Sequence, residues 1–116
     1  DPERFALMEK YFASFPDLTV GGVTWQWLRE ATRSIQIAQQ PDYLKRIITP
    51  TLVLTGSHDV VTPPRTSAKY INTIPYVENL MIENARHDVM NELPAYRAEA
   101  WRYIDRFLER AGIKLG

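Results

Sequence analysis

Apolar positions change their spacing along this chain, and the changes mark its elements. Near the start, Phe5, Leu7, Met8, Tyr11 and Phe12 form a broad apolar face at helical spacing. Asp1 stands where an N-cap carboxylate meets free backbone N–H groups. Pro2 occupies the first helical position and Glu3 the first turn, so a helix is predicted from residue 2 until near Pro16. Val20-Gly21-Gly22-Val23 reads as a turn or hinge, because paired glycines tolerate positive φ. Thr24 then caps a second predicted helix reaching about Gln40. Trp25, Leu28, Thr32, Ile35 and Ala38 or Gln39 repeat in it at about 3.6-residue spacing.

After Pro41-Asp42, which starts a short helical turn, the pattern changes to that of a strand over 47–54 with Pro50 near its beginning. Proline is tolerated there but would remove a ladder bond further in. Leu52-Val53-Leu54 is apolar without alternation, as expected of a strand covered on both faces. A loop over 56–63 leads to a helix over 64–73, with Ala68, Tyr70 and Ile71 inward. A second strand follows over 77–82 and a loop over 84–93. The last helix starts at Pro94, turns Tyr96, Ala100, Trp101, Ile104, Phe107, Leu108 and Ala111 to one face, and stops at Gly112. Trp101 and Phe107 read as core. Strands alternating with helices imply parallel strands, right-handed crossovers and the α/β class. Two parallel strands make a poor sheet alone, so the sheet is expected to be incomplete.

Composition narrows the function. The 14 basic and 14 acidic side chains cancel, which argues against a nucleic-acid binder and against a polybasic membrane anchor. Three Trp, six Tyr and four Phe argue against disorder. With no cysteine, disulfides, thiol nucleophiles and thiolate-bound zinc are excluded for this chain. No apolar run reaches the roughly 20 residues of a membrane helix, and no signal peptide is visible. No Gly-rich phosphate loop is present, so no nucleotide site and no cofactor are expected.

The candidate chemistry sits past the two strands. In parallel sheets, functional groups collect beyond the carboxyl ends of the strands. Asp59 follows the first strand and His87 the second. If the strands are neighbours, the carboxylate can hold one imidazole nitrogen and leave the other to take a proton from a serine hydroxyl. The chain order of acid then histidine matches the last two steps of the order Ser, acid, His. Each residue also has a plainer reading, Asp59 as a turn former after Gly-Ser-His and His87 as an ordinary loop histidine. His58 beside Asp59 hints at a metal pair, but no third ligand stands at a recognisable spacing, so no metal site is expected. Glu83, Asp88 and Glu92 read as solvated charges rather than as paired catalytic carboxylates. Trp25, Trp27, Phe5, Met8 and Phe12 are candidates for an acyl-chain surface or for ordinary packing.

These segments carry a resemblance. Pro50-Thr51-Leu52-Val53-Leu54-Thr55-Gly56-Ser57-His58-Asp59, continued by Val60-Val61-Thr62-Pro63-Pro64, is similar to the acid-bearing strand and loop of α/β-hydrolases. Asn84-Ala85-Arg86-His87-Asp88-Val89-Met90-Asn91-Glu92 is similar to their histidine loop. Asp1-Pro2-Glu3-Arg4-Phe5 and Thr19-Val20-Gly21-Gly22-Val23-Thr24-Trp25 resemble the return from lid to core in bacterial lysophospholipases and monoacylglycerol lipases. The resemblance spans essentially the whole chain. It implies the C-terminal portion of an α/β-hydrolase, with 1–22 as the end of a lid and 23–116 as core. It implies Asp59 as triad acid and His87 as general base. Asp88 stands where Glu is common in such enzymes, a departure that leaves the base unaffected.

A larger departure is the lack of any Gly-x-Ser-x-Gly. Ser14, Ser34, Ser57 and Ser67 are the serines, and none lies on a nucleophile elbow. The expected function is therefore the C-terminal part of a serine ester hydrolase acting on lipid-like esters, inactive alone, in the cytoplasm or at a membrane periphery. Its expected partner is its own N-terminal half or a second copy. The alternative is a non-catalytic α/β module that binds a partner through its open sheet edge.

Overall fold

The computed structural model describes residues 1–113. The chain divides into two compact units, Asp1–Ala38 and Gln39–Gly116.

The first unit is built from local signals. Helix α1, Pro2–Ser14, begins as expected: Asp1 Oδ1 accepts the N–H groups of Glu3 at 2.9 Å and Arg4 at 3.3 Å. A single 3₁₀ turn, Pro16–Leu18, follows. Residues 20–23 are irregular, but neither Gly21 nor Gly22 adopts positive φ, so the pair does not use the conformational freedom that only glycine supplies. Helix α2, Trp25–Ala38, is capped by Thr24, whose Oγ1 accepts the Trp27 N–H at 3.1 Å. It ends two residues short of Gln40. Neither helix contains a buried residue.

The second unit holds the sheet. After the short helix α3, Pro41–Leu44, strand β1 runs Thr51–Gly56, helix α4 Pro64–Ile71, strand β2 Val77–Ile82 and helix α5 Pro94–Arg110. The strands pair in parallel, from Thr51 opposite Val77 to Gly56 opposite Ile82. β1 starts later than the predicted residue 47. Pro50 has no N–H to give, and the first residue able to join is Thr51, which donates to the Tyr76 carbonyl at 2.9 Å. Helix α4 ends two residues before the predicted Thr73. Helix α5 stops as predicted at Gly112, with φ of 74°. There the Gly112 N–H reaches Glu109 O at 3.1 Å and the Ile113 N–H reaches Leu108 O at 2.9 Å, a Schellman closure.

Ile82, Ala85, Val89 and Ala100 form the buried core, flanked by half-buried Leu54, Met90, Tyr96 and Tyr103. Two expectations of burial fail. Leu52, Val53 and Leu54 are half-buried rather than covered on both faces. Among the described residues the sheet has two strands, and helices α4 and α5 pack on them, which leaves apolar surface uncovered. Trp101 is 49% exposed and not core, whereas Phe107 is half-buried. Ala100 takes the position against the strands, and its neighbour is rotated about 100° away from it.

Candidate active site

The two strands finish level, with Gly56 opposite Ile82, and the loops that leave them are sewn together. The Ser57 N–H donates to Ile82 O at 3.0 Å, and the His58 N–H to Ala85 O at 2.9 Å. In return Ser57 Oγ accepts the Asn84 N–H at 2.8 Å. Asn84 turns the chain off β2 with φ of 62°, a left-handed conformation that Asn tolerates better than most residues. Gly56 is required by this seam. A Cβ there would lie 2.2 Å from Arg86 O and 2.4 Å from Ala85 O, closer than any side chain allows. The histidine loop is held at its far end as well, where Glu92 Oε1 accepts the Arg86 N–H at 2.7 Å.

This seam brings Asp59 and His87 together. Asp59 Oδ2 lies 2.9 Å from His87 Nδ1. The carboxylate is buried, with 4% of its side chain exposed, while the His87 side chain is 52% exposed. Asp59 Oδ1 accepts the backbone N–H groups of Val61 at 2.8 Å and Thr62 at 2.9 Å, and the Thr62 hydroxyl donates to Oδ2 at 2.6 Å. Burial opposes ionisation of this carboxyl. The Thr62 hydroxyl, the His87 ring and the two backbone N–H groups outweigh it and hold the group well below the ordinary carboxylate range. Asp59 is thus a fixed anion against one edge of a solvent-accessible imidazole. With Nδ1 engaged, Nε2 is the ring atom left to exchange a proton with another molecule. No side chain among the described residues hydrogen-bonds it.

The other candidates lie elsewhere. His58 is exposed, and among the described residues no group of three or more His, Asp or Glu is placed to hold a metal ion. Asp88 accepts from the Asn91 side chain at 2.7 Å within its own turn. Glu92, expected to be a solvated charge, instead braces the histidine loop. Ser57 is spent on Asn84, Ser67 Oγ donates to Pro63 O at 3.3 Å, and Ser14 Oγ donates to Lys10 O at 2.9 Å. None of the serines hydrogen-bonds His87 among the described residues. Trp25 and Trp27 are both exposed, and Trp25 lines a surface depression along α2 with Leu28, Thr32 and Arg33. Phe5, Met8 and Phe12 are exposed on α1.

The sequence points to Asp59 and His87, which the structure brings into contact, but not to Gly56, Ser57, Thr62 and Glu92 as their supports. The signal for Gly56 was its place at the end of an apolar strand before a loop acid, where glycine often marks close backbone approach.

Residues 8–94 match the family described as serine aminopeptidase, S33. The chain belongs to this family. No curated protein matches it. Membership makes the chain a domain of the α/β-hydrolase family, and the two helix-flanked parallel strands are a partial α/β fold of that kind. Asp59, His87 and the loops that carry them fall inside the matched span. Among the described residues of this S33 family member, no helix is long and apolar enough to cross a membrane.

Proposed function

We propose that this chain supplies the acid and the base of a serine ester hydrolase acting on lipid-like esters, in the manner of lysophospholipases and monoacylglycerol lipases. In this reading residues 1–22 are the end of a lid, 23–116 belong to the core, and the nucleophilic serine comes from outside these residues. The observation that carries the proposal is the 2.9 Å contact between Asp59 Oδ2 and His87 Nδ1 at the level ends of two parallel strands.

The chemistry follows from that contact. The serine oxygen attacks the acyl carbon while His87 Nε2 takes its proton. Asp59 keeps the ring oriented and stabilises the imidazolium. The tetrahedral intermediate collapses, the ester C–O bond breaks, and His87 returns the proton to the departing alcohol. Water then repeats the sequence on the acyl-enzyme, and the free acid leaves. Donors for the oxyanion come from around the nucleophile and from an earlier loop. Without a serine on His87, the 116-residue chain alone is inactive.

The test uses the polypeptide encoded by the intact reading frame beside the 116-residue chain. Lysophospholipid, monoacylglycerol and aminoacyl-anilide substrates are offered to both. The expected result is ester turnover by the former, abolished by His87→Ala, with a fluorophosphonate probe labelling a serine outside this chain. Preferred cleavage of the aminoacyl-anilide would replace the lipid-like substrate with the peptide-like one that the family description names. Full activity of His87→Ala would overturn the proposal.

A second reading, a non-catalytic module that binds a partner chain through its sheet edge, is favoured by one observation. Each strand of the two-stranded sheet has an edge without a strand partner among the described residues. A folded monomer by size-exclusion chromatography would remove it, whereas edge-paired dimers without esterase activity would support it.

A further inference from the structure

We infer that Thr62 is a positioning residue that fixes which nitrogen of His87 carries the proton. The inference rests on the Asp59–His87 pair of the proposed function and goes beyond it.

Two groups face His87 Nδ1: Asp59 Oδ2 at 2.9 Å and Thr62 Oγ1 at 3.4 Å. A carboxylate can only accept. A threonine hydroxyl can accept or donate, so by itself it would leave the tautomer open. Here its single proton is already committed, because Thr62 Oγ1 lies 2.6 Å from Asp59 Oδ2, an O–H to carboxylate distance typical of a strong charge-assisted bond. The oxygen that faces His87 therefore presents only lone pairs. Both neighbours of Nδ1 are then acceptors, and the ring meets them with a proton on Nδ1. The reverse arrangement, with Nδ1 bare, would set its lone pair against those of Asp59 Oδ2 and Thr62 Oγ1. Relieving that conflict would require Thr62 to turn its proton from the carboxylate towards the ring. Such a turn would give up the short bond from the hydroxyl to Asp59 Oδ2. The hydroxyl is thereby held between the acid and the imidazole, and Nε2 is kept free of hydrogen in the neutral ring, as a general base must be.

Valine at this position keeps the shape and removes both the donor to Asp59 and the acceptor to His87. Serine keeps both. The experiment records long-range ¹H–¹⁵N spectra of the ¹⁵N-histidine-labelled chain at a pH where the imidazoles are neutral. The chain has two histidines, and His58→Gln, an exposed position, assigns the signal of His87. The wild type is expected to hold His87 in the Nδ1–H form. In Thr62→Val the ratio of Nδ1–H to Nε2–H should fall about threefold, the loss of one long, weak hydrogen bond at 3.4 Å. Thr62→Ser should restore it. An unchanged ratio in Thr62→Val, with native backbone shifts, overturns the role of Thr62 and leaves the Asp59–His87 pair standing. A wild-type His87 protonated on Nε2 overturns the pair itself and the proposed function with it. If Thr62→Val does not fold, the wild-type hydroxyl proton decides. Slow exchange with water and proximity to the His87 ring support the inference, and exchange as fast as that of an exposed threonine overturns it.

Discussion

The two compact units of this chain use opposite means to hold their shape. In Asp1–Ala38, order is written residue by residue: a carboxylate at Asp1 and a hydroxyl at Thr24 start the helices, and no residue of either helix is buried. In Gln39–Gly116, order depends on residues far apart in the chain. Ser57 meets Asn84, His58 meets Ala85, and the core joins Ile82 to Ala100. The contrast teaches where chemistry can be built. A 2.9 Å contact between a buried acid and an accessible histidine requires loops fixed from several directions, which capped helices without a core do not offer.

The largest predicted effect tests whether the second unit is where the chemistry resides. In the hydrolase proposed above, His87→Ala should lower kcat on the order of a million-fold, read by ester turnover, with unchanged circular dichroism. Phe12→Ala in the first unit should leave catalysis of a short, soluble ester within about threefold. A comparable collapse in both variants would dissolve the contrast.

Asp59→Asn should cost about ten-thousand-fold in kcat, because the amide no longer holds the ring as a carboxylate does. The same variant tests a pH dependence. The carboxyl of Asp59 titrates lower in the folded protein than in the unfolded chain, so its ionised form favours folding. That contribution is complete above the unfolded value of about 4 and is lost as pH falls through the lower folded value. Denaturation curves at decreasing pH should show this acid loss in the wild type and a flatter limb in Asp59→Asn.

Smaller again is Gly56→Ala. The new methyl meets two backbone carbonyls, so the seam must open. Stability of the second unit should drop by about 3 kcal/mol, read by urea midpoints. His87 should lose its contact with Asp59 by histidine NMR. The smallest effect belongs to the first unit: Asp1→Ala removes the α1 cap and should cost about 1 kcal/mol of helix stability. The His87 spectrum should stay unchanged.

The same contrast explains what could be read from the letters. Helix starts at Asp1-Pro2, Thr24 and Pro94, the limits of β2 and the stop at Gly112 depend on a few neighbouring residues and were legible. So was the order of Asp59 and His87 past successive strands, since topology brings the ends of parallel neighbours together. Periodicity shows which residues share a face but not whether anything covers that face. For that reason Trp101 and the run Leu52-Val53-Leu54 were misjudged as covered core. The supports of the site were hidden for a different cause. Ser57 finds Asn84 on the other loop, whereas Thr62 and Glu92 bond within their own loops, and hydrophobic spacing signals neither kind of contact.

The level finish of the strands also makes loop length a ruler. Asp59 is the third residue after Gly56, and His87 the fifth after Ile82. One inserted residue advances an extended chain by about 3.3 Å, more than a hydrogen bond can stretch. Natural variation in spacing should therefore be scarce between 56 and 59 and between 82 and 87.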